Sequence, residues 1–236
     1  MPSEAEVHAW VFRLGTVPAP AKRSLVGHVA LRLVLGELTG SAPERLRFER
    51  RCGHCGDSGH GKPHLAGRAE LDFSLSHSGE LVLIAVAREL RVGADVERVR
   101  PRTDVLAIAR GSLSERERRT IEAGRTDAAR REAFFRCWTR KEAYLKGLGV
   151  GLAGGLDTDP DEAAGWQVRS LAVGSGYAAA VAADRQFALR QRTTLWPPNP
   201  KLFEIPTAPR PFRVRSPSGR APSVTQASSQ SGSGSP

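Results

Sequence analysis

Residues 71–97, LDFSLSHSGELVLIAVARELRVGADVE, decide the fold of this chain. Polar and apolar residues alternate in the first part, and seven consecutive apolar residues follow at 81–87. This pattern predicts a β-hairpin that turns at Ser78-Gly79. Residues 91–97 predict one further short strand, in which apolar and acidic residues alternate. The centre of the chain is therefore expected to form β-sheet.

Helical patterns flank this region on both sides. Apolar residues spaced three and four apart predict a helix over 21–38. A capping box, Ser114-x-x-Glu117, predicts a helix start, and a second helix is expected over 130–146, where several glycines follow. Weaker strand patterns come later, at 166–171, 177–183 and 187–191. Hairpin-plus-helix elements thus occur in both halves of the chain.

Composition and charge limit the class of protein. The 236 residues are 40% hydrophobic and 25% charged, which is enough to bury a core. Lys and Arg number 35 against 25 Asp and Glu, and the net charge of +10 favours an anionic partner. The apolar run at 81–87 is far shorter than the ~20 residues of a membrane helix. With no secretory signal and three cysteines, we expect a soluble cytoplasmic protein.

The last 38 residues differ from the rest in composition. From residue 216 onward, 14 of 21 residues are Ser, Gly or Pro, so this stretch has almost nothing to bury. We therefore expect residues 199–236 to be a disordered basic tail.

Two groups of acidic residues are candidates for chemistry. Asp95 and Glu97 stand two apart in a predicted strand, so both carboxylates project from one face. Such a pair raises one of the two pKa values unless a cation lies between them, and Mg²⁺ binds through one or two carboxylates plus substrate phosphates. The alternative is a solvated strand face beside the basic run at 98–102.

The predicted helix at 130–146 adds a second group. Trp138, Glu142 and Lys146 lie at i, i+4 and i+8, nearly on one face. Glu142 and Lys146 fit an ordinary surface salt bridge. They equally fit a metal site with a lysine one turn away, an arrangement suited to phosphoryl transfer.

Histidines and cysteines leave further alternatives open. His77 closes the strand whose face carries Phe73 and Leu75, and taken alone it fits a structural role better than a functional one. The spacing C-x2-C-x4-H-x3-H of the residues Cys52, Cys55, His60 and His64 offers four zinc ligands, and a zinc-stabilised nucleic-acid-binding module is the corresponding alternative function. The spacing is short and no aromatics interleave with the basic residues, so we expect no nucleic-acid partner.

Four short blocks, in order, resemble the surfactin-synthetase-activating type of the 4'-phosphopantetheinyl transferase superfamily. They are GKP at 61–63, FSLSHSG at 73–79, VGADVE at 92–97 and WTRKEAYLK at 138–146. The similarity extends over residues 21–196. The resemblance implies an α+β fold, a pseudo-dimer of two similar halves at 1–92 and 93–198 with the active site between them.

The resemblance also implies a reaction. Such enzymes transfer the 4'-phosphopantetheine group of coenzyme A to a serine of an apo acyl or peptidyl carrier protein, and adenosine 3',5'-bisphosphate is released. It implies Mg²⁺, with Mn²⁺ as an alternative, and an acidic carrier protein as partner. We expect a monomer with no membrane partner.

Site residues follow from the motif positions. Asp95, Glu97 and Glu142 resemble the metal ligands, and Glu117 matches a further acidic position. Glu142, or a water that it orients, would act as general base, and Lys146 would neutralise the pyrophosphate. The coenzyme A contacts implied in the same way are Arg23, Ser24, Lys62, Ser76, His77, Lys141 and Lys146.

One departure from the family pattern supports an alternative function. Few residues separate the first strand from Arg23 and Ser24, so basic residues that would bind the 3'-phosphate are expected to be missing. A non-catalytic coenzyme A or nucleotide-binding protein with the same fold is therefore the second hypothesis.

Overall fold

The computed structural model describes residues 5–15, 20–51, 57, 61–151 and 158–197. The predicted tail at 199–236 and three of the four zinc candidates, Cys52, Cys55 and His60, lie outside the described residues. Within them the strands are β1 (Glu6–Arg13), β2 (Phe48–Arg51), β3 (Lys62–Leu65), β4 (Leu71–Ser78), β5 (Leu81–Arg88), β6 (Val92–Arg98), β7 (Gln167–Ser170), β8 (Tyr177–Ala183) and β9 (Ala188–Leu195). The helices are α1 (Pro20–Thr39), α2 (Val105–Ser112), α3 (Glu115–Glu122) and α4 (Asp127–Leu148).

The described strands form two main sheets and a separate hairpin. The larger sheet has the order β4-β5-β1-β9, the smaller has the order β6-β8-β7, and β2 pairs with β3. The predicted hairpin is confirmed as β4 and β5, but Ser78 pairs with Leu81, so the turn is Gly79-Glu80 rather than Ser78-Gly79. Gly79 has a φ of 57°, which favours glycine at the first position of this two-residue turn.

The two sheets face each other across a shared hydrophobic core. Side chains from β1 and β5 meet those from β6 and β8 in this layer. Helix α1 covers the opposite face of the larger sheet, where Leu31 and Leu35 are buried. Helix α4 covers the opposite face of the smaller sheet through Ala143, which packs against Ala180 and Ala182. The predicted α+β class is therefore confirmed.

Strand β9 returns to the beginning of the chain. It pairs in parallel with β1 from Glu6, opposite Ala188, to Arg13, opposite Leu195, whereas every other strand pair in these two sheets is antiparallel. The larger sheet therefore combines residues from both predicted parts, 1–92 and 93–198. None of the described helices is long and apolar enough to cross a membrane.

The edge strands β4 and β6 meet through side chains rather than through a backbone ladder. Alternate residues of β4 accept hydrogen bonds at their side-chain oxygens from backbone N–H groups of β6. These residues, called here the β4 polar row, are Asp72, Ser74, Ser76 and Ser78, which bind the N–H groups of Val92, Ala94, Val96 and Arg98 respectively. These hydrogen bonds pair the backbone N–H groups along the edge of β6, which would otherwise lack a backbone partner on that side.

Helix α4 lies directly against the backbone of β6 at Gly93. A Cβ atom added there would overlap the Ala143 carbonyl oxygen and the Gly147 backbone nitrogen. Gly147, predicted to follow the helix, lies inside it. Helix α4 ends at Leu148, and its C-cap is Gly149, whose φ is 77°. This close approach brings the side chains of α4 over the face of β6 that carries Asp95.

We predict that Gly93→Ala destabilises the protein by about 3 kcal/mol, since a methyl group forces α4 away from β6. Urea unfolding measures the loss, and Gly111→Ala is the matched control because a Cβ atom there meets nothing within 4 Å. Equal stability of the two variants would contradict the contact.

Candidate functional site

Asp95 lies at the centre of the candidate site, on the face of β6 that is turned to α4. The residue is 3% exposed. Its Oδ1 atom accepts hydrogen bonds from Ser76 Oγ at 2.8 Å and from Lys146 Nζ at 2.6 Å. Its Oδ2 atom is buried and has no hydrogen-bond partner among the described residues. A buried carboxylate oxygen of this kind is a ready ligand for a cation, because leaving it unpaired costs free energy.

Glu97 is held in a similar way one pleat further along β6. Ser78 Oγ donates to Glu97 Oε2 at 2.7 Å, and Arg100 Nη2 donates to the same oxygen at 3.3 Å. Among the described residues, no hydrogen bond reaches the other oxygen, Oε1. Asp95 and Glu97 therefore share the predicted face, each with one oxygen bound by a serine of β4.

Glu142 and Lys146 reach this face from α4. Burial raises the pKa of the Glu142 carboxyl, the Asp95 carboxylate raises it further, Lys146 opposes the shift and Glu97 adds to it. The Lys146 ammonium also donates to Ser76 Oγ at 3.2 Å, and its side chain is 33% exposed. The three predicted carboxylates and the predicted lysine thus interact at one site. We place the candidate site here.

The carboxylates of the site are of the type that binds a hard divalent cation, although their present positions do not form a coordination shell. Burial and the neighbouring Asp95 and Glu97 carboxylates raise the pKa of Glu142. Carboxylate oxygens are the ligands that Mg²⁺ or Mn²⁺ prefers. In the described part of the chain, however, no three His, Cys, Asp or Glu side chains stand close enough to hold a metal ion as they are arranged. The positive charge beside Asp95 is the Lys146 ammonium.

Glu117 and Lys141 form a separate buried pair. Lys141 Nζ lies 2.8 Å from Glu117 Oε2, and their side chains are 1% and 6% exposed. Glu117 also closes the predicted capping box, because its Oε2 accepts from the Ser114 N–H at 2.8 Å. Lys141 donates to the Ser112 carbonyl oxygen at 3.3 Å. In this structure both side chains contact the protein interior, and their roles toward metal and substrate stay predictions.

The remaining predicted contacts are spread around the site. Lys62 is turned inward, where it pairs with Asp72 and donates to the Val92 carbonyl oxygen at 2.7 Å, and burial lowers the pKa of its ammonium group. His77 is exposed, and Arg23 and Ser24 are half-buried near the start of α1. No hydrogen bond or ion pair among the described residues joins these last three to the Asp95 carboxylate.

Two residues of the site were missed by the sequence reasoning. Ser78 and Arg100 both bind Glu97, but neither was assigned a role. The alternation of polar residues along β4 was visible in the sequence. It indicated only that the serines share a face, and not that this face meets the edge of β6.

Comparison with known proteins shows which family the segment around the site is similar to. Residues 91–193, which contain Asp95, Glu97, Glu142 and Lys146, match the model of the 4'-phosphopantetheinyl transferase superfamily. The 4'-phosphopantetheinyl transferase HetI of Nostoc sp. is 35% identical over 139 residues, which are 58% of this chain and 55% of that protein. The transferase psf-1 of Bacillus pumilus is 35% identical over 58% of this chain and 54% of its own length.

A third relative shows the same similarity. The 4'-phosphopantetheinyl transferase AcpT of Salmonella typhimurium is 40% identical over 121 residues, 51% of this chain and 57% of its own. The chain matches little more than half the length of these curated relatives. In the region of the site, the chain is similar to the 4'-phosphopantetheinyl transferase superfamily.

We predict that Glu142→Gln stabilises the metal-free protein at neutral pH. The pKa of the Glu142 carboxyl is higher in the folded than in the unfolded state, so the free energy of unfolding of the wild type falls as the pH rises from the unfolded to the folded pKa. Above the folded pKa this loss of stability is complete. The variant should melt higher than the wild type at pH 7, and the difference should shrink toward pH 4. A constant difference between pH 4 and 8 would contradict the assignment.

We also predict that Lys141→Met lowers the free energy of unfolding by about 3 kcal/mol, since it leaves the Glu117 carboxylate buried without its ion pair. Adding Glu117→Gln, which keeps the capping oxygen, should recover most of this loss in urea unfolding. A Lys141→Met protein of full stability but weak coenzyme A binding would instead support the predicted substrate contact.

Proposed function

We propose that the protein transfers the 4'-phosphopantetheine group of coenzyme A to a serine of an apo acyl or peptidyl carrier protein. Adenosine 3',5'-bisphosphate is the second product. The observation that carries this proposal is the convergence of Asp95, Glu97, Glu142 and Lys146 on one site, within the segment that matches the transferase superfamily. Relatives with this name in three organisms support it.

Asp95, Glu97 and Glu142 would hold a divalent cation, Mg²⁺ or alternatively Mn²⁺, with Glu117 as a further predicted ligand. The buried Oδ2 of Asp95, which has no partner among the described residues, supports this assignment. When bound, the cation supplies positive charge that offsets the pyrophosphate of coenzyme A.

In the proposed reaction the carrier serine oxygen forms a bond to the phosphorus that carries the pantetheine. The bond from that phosphorus to the bridging oxygen breaks, and the electron pair leaves with adenosine 3',5'-bisphosphate. Glu142, directly or through a water, takes the serine proton, a role supported by its raised pKa. The Lys146 ammonium neutralises charge on the leaving phosphate.

Binding of the two substrates completes the proposal. The coenzyme A contacts are those implied by the resemblance: Arg23, Ser24, Lys62, Ser76, His77, Lys141 and Lys146. A net charge of +10 would steer both the polyanionic coenzyme and an acidic carrier protein toward the protein. We infer a monomer that acts in the cytoplasm.

The pseudo-dimeric organisation of residues 1–92 and 93–198 belongs to the same proposal. One long helix on the outer face of each sheet supports it, since α1 and α4 occupy equivalent layers.

The test is transfer of labelled coenzyme A to apo carrier proteins of fatty-acid, polyketide and peptide synthesis. We expect transfer that depends on Mg²⁺, and a loss of at least about 100-fold for Asp95→Ala and for Glu142→Ala. Glu132→Ala, an exposed acid on the same helix as Glu142, is the matched control and should keep full activity. Coenzyme A binding without transfer to any carrier would favour the non-catalytic alternative.

A further inference from the structure

Three serines of the β4 polar row make equivalent contacts with the backbone of β6 but differ in their second contact. Each hydroxyl accepts from one backbone N–H group of β6, at 3.0 Å for Ser74, 3.3 Å for Ser76 and 3.1 Å for Ser78. Ser74 Oγ then lies 3.5 Å from the Ala94 carbonyl oxygen, whereas the other two donate to carboxylates. Ser74, which binds the β6 backbone but no carboxylate, can therefore serve as a control for the serines that bind carboxylates.

The contact between Ser78 and Glu97 leaves the second carboxylate oxygen without a hydrogen-bond donor among the described residues. Ser78 Oγ and Arg100 Nη2 both bind Oε2 of Glu97, so Oε1 stays available among the described residues. Asp95 shows the same division, with Oδ1 bound and the buried Oδ2 unpartnered. Two neighbouring carboxylates are thus presented with one oxygen each.

Arg100 alone is a weak means of fixing Glu97. Its side chain is 65% exposed, so its attraction for the carboxylate is screened by water and it loses rotamer freedom when it binds. Ser78 is the last residue of β4 and is half-buried, with its hydroxyl anchored by the Arg98 N–H group. The hydroxyl therefore has the fixed position that the guanidinium lacks.

We propose that Ser78 is a positioning residue, which orients Glu97 so that its second oxygen can bind the divalent cation beside Asp95. This inference rests on the proposed function of the carboxylates as cation ligands. Hydrogen bonds to carboxylate ligands fix ligand orientation, and their removal lowers metal affinity by roughly 10–100-fold.

The test is a titration with Mn²⁺, read by electron paramagnetic resonance, on the full-length protein saturated with coenzyme A. We expect Ser78→Ala to weaken Mn²⁺ binding by about 10-fold, the lower end of that range, because Arg100 remains. Ser78→Thr, which keeps the hydroxyl, should bind like the wild type. Ser74→Ala should do the same, while its melting temperature falls as much as that of Ser78→Ala.

The outcomes separate this inference from the proposed function. Equal Mn²⁺ affinity of Ser78→Ala and the wild type would overturn the inference. Equally weakened Mn²⁺ binding in Ser74→Ala and Ser78→Ala would also overturn it, because it would indicate general disruption of the contact between β4 and β6. A wild type that binds no Mn²⁺ would also overturn it. If only Ser78→Ala binds Mn²⁺ weakly and the wild type transfers nothing to any carrier, the inference stands and the proposed transfer fails.

Discussion

The backbone N–H groups along one edge of β6 donate to side-chain oxygens of the β4 polar row. A backbone ladder would satisfy the same donors but would leave no hydroxyl groups at the junction, whereas a serine can accept from an N–H group and donate to a carboxylate at the same time. Ser76 does both, and so joins the two sheets while it holds Asp95. Ser76 and Ser78 therefore belong both to the junction of the two sheets and to the candidate site. Replacing either of these two serines therefore affects both the junction and the carboxylate that the serine binds.

Local patterns were sufficient to predict the elements that carry the site. The alternation of polar and apolar residues in β4 and the apolar run at 81–87 predicted the β4–β5 hairpin. Residues two apart in a strand share a face, and this geometry alone placed Asp95 and Glu97 on one face. Contacts between elements distant in the sequence were beyond such patterns. Lys141 adjoins Glu142 in the chain, but helical rotation turns it into the interior toward Glu117. Nothing in the local sequence indicated that partner, nor that Ser78 meets Glu97.

The site concentrates charge at a cost in stability. Two features disfavour the folded protein in the absence of a cation: the buried Oδ2 of Asp95 has no partner among the described residues, and the pKa of Glu142 is raised. At Gly93 the backbones of β6 and α4 are already in contact, which keeps Glu142 close to Asp95. Lys146 supplies partial compensation. Strain of this kind is expected where function rather than stability has selected the residues.

The parallel pairing of β1 with β9 has a consequence for the order of folding. The partner of Glu6 is Ala188, so the larger sheet lacks its edge strand until nearly the whole described chain has left the ribosome. Until then β1 offers an unpaired edge rich in Trp, Val and Phe, a surface prone to pair with other chains. Closure of the loop between such distant partners is slow, because its entropy is lost before the contacts form. Strand β9, which covers the open edge of β1, is therefore the last of the described strands to be synthesised.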